Sequence, residues 1–239
     1  MQHSAGVIFM TEQQNDNLQT YLKRGFSIER LTSYRIEGEN DTAYLPRYLW
    51  NMALSKSFYP SLQSLEVAVR NSIHYAISEG LNNNFWFEDH ELITKSELTT
   101  ITDAKQILIR HNKSIEPGRI IAELNFGFWT ALFNSRYEQI LWPRFLKTAF
   151  PSMPRTLRSR ANISKRLNRI RYLRNRVFHY EPIWHWHDLY QQHNEVMETL
   201  GWINPVAKEL TEVIDNFQEI YQGGWESYKM EVSAIIARL

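Results

Sequence analysis

Apolar side chains return at every third or fourth position through most of this chain, and an α-helix is the regular element that gathers such a pattern onto one buried face. Leu62, Leu65, Val69, Ile73, Ala76 and Ile77 form one such stripe, with Pro60 placed to open the helix and Gly80 to close it. Ile163, Leu167, Ile170, Leu173 and Val177 form a second, between Pro154 and Pro182. Val206, Leu210, Val213, Phe217, Ile220 and Tyr221 form a third, and Trp225, Tyr228, Val232, Ile235 and Leu239 a fourth beyond Gly223-Gly224. Residues 41–58, 91–112 and 187–201 also read as helix, and Ile120 and Leu124 belong to another after Pro117-Gly118. Trp142-Pro143 breaks or kinks the helix it falls in. The two-residue alternation of a half-buried strand is nearly absent, apart from a short extended piece expected at Phe85-Trp86-Phe87. The expected fold class is all-α. Residues 1–16 carry no such pattern and are expected to be loose, which leaves a single helical domain over 17–239.

Composition removes several function classes. The chain has no cysteine, so disulfide frameworks, thiolate zinc sites and a cysteine nucleophile are excluded. The first ten residues hold only a four-residue apolar run and no basic start, unlike a secretory signal. No run of apolar residues is long enough to span a bilayer, so no membrane partner is expected and the default location is the cytoplasm. Eight tryptophans exceed what a core of this size requires, which leaves some for an interface or for stacking on bases.

A net charge of +1 conceals a strong asymmetry. Arg155, Arg158, Arg160, Lys165, Arg166, Arg169, Arg171, Arg174 and Arg176 crowd into 22 positions, and no Asp or Glu occurs from Pro151 to Tyr180. The rest of the chain is therefore net acidic. A basic segment on an acidic protein is the footprint of phosphate recognition, and arginine's planar fork suits that role better than lysine. Arg166, Arg169, Arg171 and Arg176 are the candidates for contacting RNA. The plainer alternative is that the segment pairs with acidic helices elsewhere in the fold.

On a helical wheel at about 100° per residue, Arg174 falls about 20° from Ile163, in the middle of the apolar stripe. A guanidinium in that position needs a carboxylate, a phosphate or a second subunit. Glu66 lies on the apolar stripe of the Pro60–Gly80 helix and is the candidate partner, with Arg70 one turn away. The alternative is that Glu66 pairs only with Arg70, four residues on. His179 lies about 140° from Arg174 on an ideal helix, so the two converge only through a distorted helix end or across two copies.

Arginine, asparagine and histidine together match the chemistry of RNA cleavage without a metal. Histidine titrates where a base for the 2′-hydroxyl and an acid for the leaving oxygen are needed. Arginine stabilises charge building on phosphorus. One motif supplies one histidine, so a symmetric dimer supplies two. Cofactors are not expected.

Arg174-Asn175-Arg176-Val177-Phe178-His179 near a helix end, in an all-helical chain, resembles the HEPN superfamily, whose signature is Arg-x4–6-His. More closely, the chain resembles the Abi-like (abortive infection) branch. Ser27–Tyr34, Leu65–Asn71, Glu123–Trp129 and Leu173–Ile183 carry that resemblance, in order, across roughly residues 20–185. It implies a HEPN-like helical bundle at about 41–201 with additional flanking helices. It also implies a metal-independent endoribonuclease, acting as a toxin or phage-defence effector through a composite site in a homodimer and held in check by an RNA or protein antitoxin. Arg174 and His179 would be its catalytic pair and Asn175 the polar residue beside them. Glu66 and Arg70 would support them.

Three other readings compete. His185, His187, Asp188 and His193 suggest a metal site, although histidines two apart converge poorly on a helix. A DNA-binding regulator lacks a helix-turn-helix pair in the basic region. A non-catalytic RNA-binding or assembly module would use the same basic helix with His179 merely packed.

Overall fold

The computed structural model describes residues 12–39 and 42–238, and the expectation of a loose 1–16 segment lies outside them for residues 1–11. Among the described residues there are twelve α-helices and no strand, so the all-α class holds. The helices are α1 (Glu12–Gly25), α2 (Ile28–Thr32), α3 (Tyr44–Leu81), α4 (Lys95–Arg110), α5 (Pro117–Glu123), α6 (Phe126–Ala131), α7 (Trp142–Ala149), α8 (Arg160–Phe178), α9 (Leu189–Ile203), α10 (Pro205–Glu212), α11 (Phe217–Gly223) and α12 (Lys229–Ile236).

Two compact units share these elements. The first comprises residues 1–57, 176–187 and 216–239, and the second comprises 58–175 and 188–215. In the first, Leu18, Leu22, Leu31, Tyr34, Tyr44, Val232 and Ile236 form a core that Tyr48 and Trp184 help to cover. In the second, the stripe from Leu62 to Ile77 on α3 is buried, as is the stripe from Ile163 to Leu173 on α8. Phe133 stacks on Trp142 at 4.0 Å in the same unit, and the Trp142 indole N–H donates to the Leu132 carbonyl at 2.7 Å.

Pro60 does not open a helix. It lies inside α3, which runs unbroken for 38 residues. A proline there removes one backbone hydrogen bond, but Leu54, Phe58, Leu62, Leu65 and Val69 continue the three-and-four spacing in phase through it, and all are buried. Sustained packing on one face outweighs the local defect. Gly80 likewise lies within the helix. The cap belongs to Asn82, left-handed at φ 50°, with the Asn83 N–H returning to the Ser78 carbonyl at 3.0 Å. What Gly80 provides is space: a Cβ there would sit 2.4 Å from Cε1 of Phe145. Gly80→Ala is therefore expected to lower stability by about 1–3 kcal/mol in urea denaturation, although alanine is the better helix former.

The aromatic run at residue 85 is not extended. Trp86–Glu88 form a 3₁₀ turn, with Trp86 and Phe87 fully buried. The indole N–H of Trp86 donates to Nδ1 of His74 at 3.2 Å, so that nitrogen must stay unprotonated. Burial holds the His74 imidazole below its ordinary value. The unfolded chain therefore takes up the proton first, and this contribution to stability is lost as pH falls through about 6.5. Urea midpoints measured at about pH 7.5 and 5.5 should differ less in His74→Gln, which still accepts the bond, than in the parent.

Pro143 does not break a helix but occupies the first turn of α7, where its missing N–H costs nothing. The stripe expected from Val206 to Tyr221 divides at residues 213–216 into α10 and α11. Val213-Ile214 and Asp215-Asn216 are poor helix formers, and no buried face holds them in line. Val206, Leu210, Val213 and Ile214 are all more than 60% exposed.

Candidate active site

Arg174 and Glu66 meet. Nε of Arg174 donates to Oε2 of Glu66 at 3.3 Å, and each side chain is a little over one quarter exposed. Both lie in the second unit, placed by the register of α8 and α3. Arg70 does not take Glu66 as its partner. Its Nη1 donates to the Ala122 carbonyl at 3.4 Å and its Nε to Oδ1 of Asn71 at 3.4 Å. Asn175 receives Nη1 of Arg174 at 3.5 Å, the far limit of a hydrogen bond. Arg171 lies close to Gly127, whose missing Cβ would stand 3.8 Å from the guanidinium.

The basic segment divides by partner. Arg166 binds Glu198 at 2.7 Å and lies over the Trp202 ring at 4.7 Å. Arg169 bridges Asp188 and Glu195, both at 2.6 Å. Burial opposes ionisation of Asp188, yet its hydrogen bonds from Gln192 and Arg169 outweigh that and hold its carboxyl below the usual range. Arg176 binds Glu181 at 2.6 Å and lies over the Trp186 ring at 5.6 Å. Arg160 reaches Glu138 at 3.5 Å. Of the four arginines expected to contact RNA, only Arg171 lacks a carboxylate partner among the described residues. It takes Oδ1 of Asn168 at 3.2 Å.

The motif's end belongs to the first unit, whose share of α8 starts at Arg176. The last helical residue is Phe178, and His179 is the C-cap. The Tyr180 N–H returns to the Val177 carbonyl at 3.2 Å and the Glu181 N–H to the Arg176 carbonyl at 2.9 Å, with Tyr180 left-handed at φ 59°. Two other helices close the same way on asparagines, Asn82 and Asn112, which tolerate that conformation. A tyrosine there is strained by about 1–2 kcal/mol. It is held by Arg30, which donates to the Tyr180 carbonyl at 2.6 Å and lies 5.9 Å from its ring. The His179 side chain is exposed and makes no hydrogen bond to a described residue.

Beyond the cap, Asn51 accepts the N–H groups of Ile183 at 2.7 Å and Trp184 at 3.1 Å. Arg47 is fully buried, binds both oxygens of Glu39, donates to the Tyr34 carbonyl at 2.7 Å, and faces the Trp184 ring at 5.4 Å. Burial pushes the Tyr34 phenol up to about 12. Arg30, Arg47 and Asn51 were not expected from sequence as site-building residues. The signal for two of them was present: Tyr44, Arg47, Asn51, Leu54 and Phe58 share one helical face, the same anomaly that singled out Arg174.

No group of three or more metal-ligating side chains is clustered among the described residues. Burial, then Arg176 and His187, keep the imidazole of His185 below its ordinary value. His193 lies 2.8 Å from Asp215, both nearly buried. No helix of the described residues is long and apolar enough to cross a membrane. Compared with protein-family models, curated proteins and solved structures, the chain matches none.

Proposed function

We propose that this chain is a metal-independent endoribonuclease of the HEPN type, acting as a toxin or abortive-infection effector. The observation that carries the reading is Arg174: an arginine on a core-facing stripe, oriented by Glu66, whose guanidinium still reaches solvent. A structural ion pair alone does not require this exposure, whereas a phosphate ligand does. The exposed imidazole of His179, on a strained cap fastened by Arg30, supports its role as proton carrier.

The proposed site is composite, with two copies bringing two arginines and two histidines to one cleft. Support for self-association comes from an apolar groove of about 670 Å³ between α3 and α10, lined by Val67, Ala68, Tyr75, Ala207, Leu210 and Ile214. Exposed apolar surface of this kind marks interaction sites. Asn71 lines the same groove and binds Arg70, so the groove adjoins the Glu66 face of α3. An antitoxin, RNA or protein, and cytoplasmic action are part of the proposal.

The test is incubation of RNA with purified protein in excess EDTA. Fragments ending in 2′,3′-cyclic phosphate are expected, because a 2′-hydroxyl nucleophile leaves that end. DNA of the same sequence should stay intact. RNA that is bound but never cut would favour the second reading, a non-catalytic RNA-binding module, which the exposed outer face of α8 also suits.

A further inference from the structure

The outer face of α8 in the second unit carries a feature that the proposed chemistry does not use. Lys165, Asn168, Tyr172 and Asn175 follow one another at spacings of three and four, with Arg171 beside them, and all five are exposed. They form one stripe about 15 Å long at about 1.5 Å per residue. Tyr172 is 58% exposed in its centre. The helix has no acidic residue. The nearby carboxylates of Glu195, Glu198 and Asp188 are bound to Arg166 and Arg169. Positive charge is thus neutralised along one flank of α8, while Lys165 and Arg171 keep theirs beside the ring.

We propose that this stripe is a platform for single-stranded RNA, with a base stacked on Tyr172 and its phosphates on Lys165 and Arg171. The inference rests on the ribonuclease reading and names its substrate class. Stacking on an exposed ring flanked by cations is sequence-tolerant and needs an unpaired base. A-form duplex hides its base faces, and its major groove is too narrow to admit a helix. The Asn168 amide orients Arg171, and the Asn175 amide is available for a base edge. An acidic protein partner would use the two cations but would gain little from the ring.

The measurement is fluorescence anisotropy with a labelled single-stranded RNA and a duplex of equal length, using full-length His179→Ala protein in EDTA so that nothing is cut. The single strand should bind more tightly than the duplex. Adding Tyr172→Ala should weaken single-strand binding by about 5- to 150-fold, while Tyr172→Phe keeps it. Lys165→Gln or Arg171→Gln should each flatten the salt dependence by about 0.7 in log-log slope. Tyr172 is exposed, so its replacement should leave the thermal melt unchanged. Equal binding by Tyr172→Ala and its parent overturns the platform, as does equal affinity for duplex, or binding to an acidic protein but not to RNA. Cleavage by the unmutated chain is scored separately. If it cleaves while Tyr172→Ala binds normally, the ribonuclease reading stands and the platform falls. If it binds through Tyr172 and never cleaves, the reverse holds.

Discussion

Arg174→Ala should reduce RNA cleavage by about 10²- to 10³-fold, the effect of removing one preorganised donor from a developing oxyanion. His179→Ala should cost about 10²- to 10⁴-fold, the range for a positioned acid or base. Both losses should appear in single-turnover rates measured in EDTA, with RNA affinity within a few-fold of the parent. Glu66→Gln is the informative companion. Its side chain orients Arg174 through Nε at 3.3 Å, so the amide should retain most of the activity, whereas Glu66→Arg should lose it. The composite site makes a sharper demand. Mixed after dissociation, the two inactive variants can form one heterodimeric site with an intact arginine and an intact histidine, and part of the activity should return. Cleavage by either single variant at the parental rate would remove that residue from the mechanism. No recovery on mixing would place both groups within one chain.

Arg47→Leu should be the most damaging single change to stability, at about 3–5 kcal/mol, because it strands a carboxylate and leaves a polar cavity. The guanidinium is fully buried, binds Glu39 with both arms, and stands 5.4 Å and 5.2 Å from the Trp184 and Trp225 rings. Its hydrogen bonds are also the main reason that the Glu39 carboxyl titrates below its usual range. Urea midpoints should fall steeply in Arg47→Leu and less in Glu39→Gln, whose side chain is 30% exposed. Arg47→Lys should resemble the leucine variant more than the parent, since an ammonium cannot replace a planar fork. The loop after His179 hangs from this region through Trp184 and Asn51, so RNA cleavage should fall together with stability.

Much of this was legible in the residue order. The three-and-four spacing required helices, and the wheel marked Arg174 and Glu66 as charges on buried stripes before any contact was visible. Their pairing follows from that: two opposite charges facing a core satisfy each other at least cost. The same rule applied to Arg47 and Asn51 would have found them too. The capping of α3 and α4 by asparagine accords with local propensity, and the left-handed Tyr180 does not. Its strain is offset by Arg30, 150 positions away, which no local pattern announces.

The basic segment between Arg155 and Arg176 marks the division between what was decided early and what was decided late. Helix period and the absence of acids determined by themselves that α8 would bury an apolar stripe and carry a dense positive charge. Which charges remain for a ligand depended on the packing of α9, whose Glu195 and Glu198 neutralise Arg169 and Arg166. An ion pair is a property of two positions brought together from distant parts of the chain, and its strength depends on distance and burial that composition does not contain. Tertiary structure therefore decided that Arg171 and Lys165, beside Tyr172, are cations of α8 left without a carboxylate.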